Sequence, residues 1–127
     1  MSAVYVNNLT INSGADFSNT FELGNADTDS PLDLSGYTAY AQMRKHSGSV
    51  NYIEFSTNIS SPNTLGKIVI SLTSTQTSEI KPGRYIYDVL IEKDSVRTRV
   101  VEGMVLVREG ATKLWIIFRL ELVNKIQ

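Results

Sequence analysis

The sequence predicts an all-β protein, folded as an antiparallel β-sandwich with one short helical turn and a C-terminal extension. Residues Gly83 to Val107 form two long segments in which apolar and polar side chains alternate, as they do in paired, half-buried strands. Shorter segments of the same kind bring the expected total to six to eight strands, separated by turn signals at near-regular spacing. Helix signals occur at one place before the C-terminal extension, which favours two packed sheets over a mixed fold.

The two long segments are predicted to form a hairpin. One face of its first strand carries Tyr85, Tyr87, Val89 and Ile91, and one face of its second strand carries Val101, Val105 and Val107. Lys93-Asp94-Ser95 fits a three-residue loop, since Asp and Ser tolerate the left-handed conformation better than most residues. Gly103 is a possible bulge in the second strand.

The rest of the domain is predicted from alternation and turn residues. Strands are expected at Ala3–Val6, Leu9–Ile11, Phe17–Leu23, Tyr37–Arg44, Tyr52–Phe55 and Lys67–Leu72. Residues Ser56 to Gly66 are polar and predict a long loop, the segment expected to be most flexible. Thr73 and Gln76 have the spacing of a capping box, which predicts a helical turn over Ser74 to Ile80.

The C-terminal residues predict an arm, so the chain divides into a domain over 1–110 and an arm over 111–127. In the arm, one alternating set of positions is apolar except at Asn124, and it comprises Leu114, Ile116, Phe118, Leu120, Leu122 and Ile126. That alternation favours a strand, while Trp115, Phe118, Leu122 and Ile126 would also make a helical stripe. The arm could be the last element of the domain's own sheet, or it could pair with a neighbouring subunit.

Composition excludes several classes of protein. The chain has 127 residues, 42% of them hydrophobic and 20% charged, which is typical of a folded soluble domain. Its net charge of −1 argues against nucleic acid as the main partner, because phosphate binding needs a surplus of Lys and Arg. The longest apolar run, Leu114 to Phe118, is too short to span a bilayer, so we expect no membrane partner. Without Cys the chain can form neither a disulfide nor a thiolate metal site.

Residues that could carry chemistry are few. The single histidine, His46, lies in a turn with no carboxylate placed near it, so we expect no catalytic residues and no cofactor. The loop from Asp27 to Asp33 has spaced carboxylates but fails the EF-hand pattern, and a looser calcium site stays open. Asp88 lies among apolar neighbours and needs a cation, for which Arg44 and Arg84 are available. We predict a structural ion pair between Arg44 and Asp88.

The sequence leaves open two further functions, a carbohydrate-binding module and a small hydrolase accessory domain. A carbohydrate-binding module used in host attachment would present aromatic rings to a sugar, and Tyr40 or Trp115 could serve. A small hydrolase accessory domain would need acid–base residues, and the candidate that the sequence offers for this role is His46.

A succession of turn-and-strand motifs resembles a known family. It comprises Leu34-Ser35-Gly36-Tyr37-Thr38-Ala39 with Arg44, Lys67–Thr73 with Gln76-Thr77, Pro82–Asp88, and Glu102-Gly103. Over about Ile11 to Arg108 the chain resembles the small immunoglobulin-like domains encoded among the virion genes of tailed bacteriophages. It is similar there to the N-terminal domain of phage baseplate upper proteins.

The resemblance implies an immunoglobulin-like sandwich with a structural or attachment role on the particle and no catalytic residues. The expected function is that of a non-enzymatic virion protein in the tail, baseplate, neck or head, made in the host cytoplasm and present in the virion. Its expected partners are other virion proteins and copies of itself. The residues expected to make assembly contacts are Leu114, Trp115, Ile116, Phe118, Leu120 and Leu122.

Overall fold

The protein folds into two β-sheets packed face to face. The computed structural model describes residues 4–25 and 28–113. The strands are β1 (Tyr5–Val6), β2 (Leu9–Asn12), β3 (Phe17–Glu22), β4 (Thr38–Arg44), β5 (Ile53–Glu54), β6 (Ser56–Ile59), β7 (Lys67–Leu72), β8 (Gly83–Lys93) and β9 (Val96–Arg108). A short helix, α1 (Ser74–Ser78), connects β7 to β8, and a 3-10 turn covers Asn63–Leu65.

The larger sheet has the strand order β1-β9-β8-β4-β5, with β2 also paired to β9, and the smaller sheet has the order β3-β7-β6. The pairs β3–β7, β6–β7, β4–β5, β4–β8 and β8–β9 are antiparallel. Strands β1 and β2 instead run parallel to β9, a detail that alternation alone does not predict. The predicted β-sandwich is confirmed.

Two features of β8 place the sandwich in the immunoglobulin-like class. The Tyr85 hydroxyl donates a hydrogen bond of 2.6 Å to the carbonyl oxygen of Lys81, four residues earlier, as in a tyrosine corner. In antibody domains a disulfide-forming Cys lies two residues after that tyrosine and bridges the sheets. Here that position is Tyr87, whose ring stacks on Phe21 of β3 at 6.4 Å between centroids. An aromatic contact therefore joins the sheets where a disulfide would otherwise lie.

The inward faces follow the predicted alternation. Tyr87, Val89 and Ile91 of β8 are buried, and Tyr85 is half-buried at the same face. Across the interface, β7 buries its even-numbered residues Ile68, Ile70 and Leu72. Each such side chain removed from water contributes about 1.5–3 kcal/mol, so this shared core is the main source of stability.

The turn of the long hairpin is shorter than predicted. Lys93 and Val96 pair as the last residues of β8 and β9, which leaves a two-residue loop of Asp94 and Ser95. Both residues have positive φ, 52° and 66°, as a type I′ turn requires. The three-residue prediction was wrong because the right-handed twist of the strands favours the mirror-image turn even without a Gly.

The irregularity in β9 lies at a residue other than Gly103. The register of β8 and β9 shifts between Val89 and Leu90, where Val101 and Arg99 are their partners and Val100 is the extra residue. As a result Val100 and Val101 are both buried. Gly103 has a different role, because a Cβ there would lie 2.3 Å from the Asn7 carbonyl oxygen. The absence of a side chain lets the chain between β1 and β2 approach β9.

The polar segment from Ser56 to Gly66 is partly a strand. Residues Ser56–Ile59 form β6 and pair with β7, so the prediction of one long loop was wrong. Thr57 explains the miss, because its hydroxyl donates a 2.7 Å hydrogen bond to the Ala39 carbonyl oxygen of the other sheet. At the edge of a sandwich a polar side chain can face inward when it finds such a partner, and alternation of apolar residues then fails as a signal.

The predicted capping box is confirmed at the start of α1. Thr73 accepts a hydrogen bond from the Gln76 amide at 3.2 Å, and the Gln76 side chain accepts one from the Thr73 amide at 2.8 Å. Thr77, which is fully buried, donates to the Ala15 carbonyl oxygen at 2.9 Å. These bonds fix α1 against the connection between β2 and β3.

Residues 114–127 of the arm predicted over 111–127 lie outside the described residues, and so does the choice between strand and helix within them. In the described part of the chain, no helix combines the length and apolar character needed to cross a membrane.

Candidate assembly surfaces

The outer face of the larger sheet carries an apolar patch on β8 and β9. Ile86 pairs with Met104, and Leu106 is the next outward residue along β9, opposite Arg84. The three apolar side chains are 39%, 52% and 43% exposed, respectively. We call Ile86, Met104 and Leu106 the outer patch. Three large apolar side chains grouped on an uncovered sheet face form the kind of surface that proteins use to bind one another.

A group of charges lies next to the outer patch on the same two strands. Asp88 pairs across the hairpin with Glu102, and the Arg99 guanidinium bridges both carboxylates at 3.3 Å. The predicted pair of Arg44 with Asp88 is therefore wrong. Both side chains of the Asp88–Arg99 pair are exposed to water, 39% and 53%, so solvent screens this interaction and it contributes little to stability.

Arg44 is held by the turn that follows its own strand. Its guanidinium donates to the Ser49 carbonyl oxygen at 2.7 Å and to the Gln42 side chain at 3.0 Å. Its carbon Cζ also lies 4.7 Å from the centre of the Tyr52 ring. These short-range partners all lie close in sequence, which explains why Arg44 turns away from Asp88.

The exposed tyrosines are unevenly suited to binding a sugar. One face of Tyr52 is covered by Arg44, and one face of Tyr85 is covered by the Lys45 ammonium at 4.8 Å. Tyr40 is 43% exposed, with its hydroxyl 3.5 Å from a Glu92 carboxylate oxygen. Trp115 lies outside the described residues. The carbohydrate-binding alternative stays a prediction.

The side of the sandwich at β3 differs from the opposite side. At the opposite side the chain passes directly from β5 in one sheet to β6 in the other, and Phe55 between them donates its amide to the Ala41 carbonyl oxygen at 3.0 Å. Strand β3, by contrast, pairs with β7 on one side and has no strand on its other side among residues 4–25 and 28–113. We call this side of β3 the open edge.

Hydrogen bonding at the end of β3 shows which backbone groups face the open edge. The Leu23 amide donates to the Gly66 carbonyl oxygen at 2.8 Å, which continues the β3–β7 register. In an antiparallel pair such bonded positions alternate, so Leu23, Phe21, Asn19 and Phe17 use their backbone groups toward β7. The amide and carbonyl groups of Ser18, Thr20 and Glu22 therefore point toward the open edge.

Asn19 is the polar member of the inward face of β3. It lies between Phe17 and Phe21 in that alternation, and the side-chain nitrogen Nδ2 is buried without a hydrogen-bond partner in the described structure. A buried donor left unsatisfied costs about 1–3 kcal/mol. This is the one described side chain with such a buried atom, and it lies on the strand with the open edge.

The last described residues leave the sandwich at the end where β3 begins. The Ser13 amide donates to the Arg108 carbonyl oxygen at 2.9 Å, and a Cβ on Gly110 would lie 3.3 Å from the Ser13 carbonyl oxygen. Lys113 forms an ion pair with Glu109, and this contact lowers the pKa of the Glu109 carboxyl. A shallow cleft lies at this end, lined by Gly14, residues of α1 and Gly110. The arm therefore begins beside the connection from β2 to β3.

Two further predictions concern a calcium site in the loop from Asp27 to Asp33 and the role of His46. Among the described residues, no three His, Asp or Glu side chains are grouped to hold a metal ion. Asp33 accepts hydrogen bonds from the Ser35 hydroxyl at 2.6 Å and the Ser35 amide at 2.9 Å, which lower the pKa of its carboxyl. Asp27 lies outside the described residues. His46 is exposed in its turn, where its amide binds the Ser49 hydroxyl at 3.2 Å.

Sequence reasoning missed the outer patch and the open edge. The outer patch depends on which face of the hairpin the second sheet covers, and alternation does not settle that. The open edge depends on strand order. One signal was present in the sequence, because Asn19 interrupts an otherwise apolar inward register of Phe17, Phe21 and Leu23.

No family model matches the chain, and no curated protein matches it. Among solved structures, the crystal structure of Listeria monocytogenes InlP is similar over 80% of this chain, with 14% identity and a TM-score of 0.45. The matched region is 26% of that chain, about a quarter of its length. An extracellular fragment of novel immune-type receptor 11 from Ictalurus punctatus, including its stalk region, is similar over 89% of this chain and 90% of its own, with 10% identity and a TM-score of 0.38. At these values neither likeness carries a functional inference.

Proposed function

We propose that this protein is a non-enzymatic structural subunit of a tailed bacteriophage particle, which acts by binding other virion proteins and copies of itself. The observation that carries the proposal is the outer patch, because Ile86, Met104 and Leu106 remain exposed as neighbours on the outer face of the β8–β9 hairpin. Full burial of such a side chain gains about 1.5–3 kcal/mol, and because these three are about half exposed, each contributes part of that gain when a partner covers it.

The resemblance of residues 11–108 to virion domains supports the choice of particle. The long hairpin of β8 and β9 supports an assembly role in a second way. Its two strands are the longest of the described chain and present one face to the core and the other to solvent. A surface built on paired strands keeps its shape when a partner binds, so little conformational entropy is lost on assembly.

The proposal is tested by measuring the protein in purified particles of the phage that encodes it. We expect quantitative mass spectrometry to find the chain at a fixed ratio to the major virion proteins after gradient purification. Recovery only in the soluble fraction of the lysate would refute a structural role.

A pair of variants links that result to the outer patch. Met104→Lys places a charge in the middle of the patch, and we expect incorporation to fall at least about tenfold, since burying an unpaired ammonium is costly. The matched control is Val50→Lys, because Val50 is an isolated apolar side chain, 89% exposed. Equal incorporation of the two variants would remove the outer patch from the proposal. Urea unfolding of both variants establishes that the domain itself is unchanged.

A further inference from the structure

The open edge of β3 is suited to accept another strand. The amide and carbonyl groups of Ser18, Thr20 and Glu22 point outward along six residues of regular strand. The other exposed edge nearby is divided into two shorter strands, β1 and β2, by the interruption at Asn7 and Asn8. A continuous edge with free backbone groups is a template for strand addition, and β3 provides it.

The position of the open edge follows from contacts between the sheets. The Tyr5 hydroxyl of β1 donates to the Gly24 carbonyl oxygen, just beyond the end of β3, at 3.3 Å. The Thr57 hydroxyl of β6 reaches β4 in the same way at the opposite side. Strand β3 therefore lies over β1 and β2, and a strand added at its open edge would extend the smaller sheet at that side.

Asn19 indicates what the added strand should contain. Its Nδ2 atom lacks an acceptor in the described structure, while Phe17 and Phe21 flank it on the same face. A strand that fits would place an apolar side chain opposite each Phe and a polar acceptor opposite Asn19. Cross-strand pairs of this kind are the contacts that set register in a sheet.

Residues 122–126 of this chain have the required pattern of a polar side chain between two apolar ones at alternate positions. Leu122, Asn124 and Ile126 follow one another in a single alternating register, so one Asn lies between two apolar residues. The pattern is symmetric about Asn124, as the pattern of β3 is symmetric about Asn19. Pairing the two asparagines therefore sets apolar residues beside Phe17 and Phe21 whether the strands run parallel or antiparallel.

The chain's own arm reaches this edge by an unfavourable route. In the larger sheet β2 lies at the edge and β9 is its inner neighbour. In the smaller sheet the added strand would lie at the edge, and β3 would become its inner neighbour. The connection leaving β9 would therefore have to cross the connection from β2 to β3, and such crossings at one end of a sandwich are rare. Exchange between two copies avoids the crossing, because each arm then approaches the open edge from outside.

We propose that the open edge of β3 binds residues 121–127 of a second copy of this chain, with Asn124 opposite Asn19. This inference rests on the proposed function, since it names the partner for one of its contacts. In the complex, the Asn124 side-chain oxygen accepts a hydrogen bond from Asn19 Nδ2. Leu122 and Ile126 cover the half-buried side of Phe17 and the adjoining ring of Phe21.

Cysteine cross-linking tests the pairing directly, because these 127 residues contain no Cys. We would mix full-length Asn19→Cys with full-length Asn124→Cys and oxidise the mixture. The backbone groups of Asn19 point toward β7, so Asn19 and an antiparallel added strand would form a non-hydrogen-bonded pair. The Cβ atoms of such a pair lie about 4.5–5.5 Å apart, close enough for a disulfide after small adjustment. We expect a disulfide-linked dimer that contains one chain of each kind.

The control mixture combines Ser18→Cys with Asn124→Cys, because Ser18 faces solvent on the other side of β3. It should give at least about tenfold less cross-linked dimer, since side chains on opposite faces of a sheet do not meet. Equal yields in the two mixtures would refute the pairing. A double variant that closes a disulfide within one chain, while the mixture gives none, would show that the arm binds its own domain and would also overturn the proposal.

Light scattering after size exclusion measures the association itself. Full-length protein should be an oligomer, and a version ending at Gly110 should be a folded monomer. Leu122→Lys should raise the dissociation constant at least about tenfold, because it removes a buried apolar side chain, while Val123→Lys, in the other register, should change it by less than about threefold. A full-length monomer would overturn this inference. The mass-spectrometric result on particles stands apart from it, so the two proposals fail separately.

Discussion

Tyr85 shows how one side chain can fix the path of a connection. Its hydroxyl donates to the Lys81 carbonyl oxygen at 2.6 Å, and half-burial of the ring raises the pKa of the phenol. The bond holds the segment between α1 and β8 against the hairpin. Because the donor and acceptor are four residues apart, the contact resists local opening of that segment rather than the association of the sheets.

We expect Tyr85→Phe to lower the free energy of unfolding by about 1 kcal/mol, the usual net value of one hydrogen bond in a folded protein. Urea denaturation followed by intrinsic fluorescence measures the change. Tyr40→Phe is the matched control, because the Tyr40 hydroxyl is exposed and only 3.5 Å from its acceptor, so its loss should cost less than about 0.5 kcal/mol. Equal losses in the two variants would show that the hydrogen bond from Tyr85 to Lys81 does not contribute to the free energy of unfolding.

At the level of the element, the β8–β9 hairpin joins two strands through a turn with no Gly. Asp94 and Ser95 both adopt positive φ, a conformation that L-residues pay about 1–2 kcal/mol to occupy. The strain persists because the eleven-residue and thirteen-residue strands on either side are paired along their length. Long, well-paired strands can thus impose a turn that its own residues do not favour.

We expect Ser95→Gly to raise the free energy of unfolding by about 0.5–1 kcal/mol, because relief of strain exceeds the extra entropy that Gly loses on folding. The measurement is again urea denaturation. Ser47→Gly is the control, since Ser47 is exposed in a turn and lacks a positive φ. The free energy of unfolding of this variant should be equal to, or lower than, that of the unsubstituted protein. A loss of stability in Ser95→Gly would contradict the type I′ assignment.

At the level of the whole molecule, the N-terminal segment is bound by hydrogen bonds to the middle of β9. The Asn7 amide donates to the Glu102 carbonyl oxygen at 3.0 Å, and the Met104 amide donates to the Asn8 side chain at 3.0 Å. The Tyr87 hydroxyl donates to the Asn7 carbonyl oxygen from the core side. Gly103 makes this crossing possible, and so connects the start of the chain to its last described strand.

We expect Gly103→Ala to lower the free energy of unfolding by about 1–3 kcal/mol, because the new methyl group would lie 2.3 Å from the Asn7 carbonyl oxygen and must displace backbone. Gly48→Ala is the control, since a Cβ there meets only the His46 ring at 3.7 Å. Hydrogen exchange at Asn7, whose amide donates to the Glu102 carbonyl oxygen, should accelerate in Gly103→Ala alone. Unchanged exchange at Asn7 would contradict the role given to Gly103.

Much of the fold was accessible from local patterns. Alternation predicted which side chains share a face in β8 and β9, and the capping box predicted the start of α1, because each depends on residues close together in sequence. The same approach failed at β6, where Thr57 is satisfied by a carbonyl oxygen of the other sheet. It failed as well at Asp88, whose partner Arg99 comes from across the hairpin, in a register that the bulge at Val100 shifts.

The sequence by itself determined that this is a two-sheet β protein, which side chains share a face of its long strands, and that its C-terminal residues 114–127 carry an apolar alternating pattern around Asn124. Only the tertiary structure decided that β1 and β2 run parallel to β9, that Ile86 and Met104 meet on an uncovered face, and that β3 lies at an open edge. The reason is physical. Local patterns specify which side chains share one side of a strand, whereas the side that is covered, the strand order and the free edge depend on contacts between residues far apart in the chain.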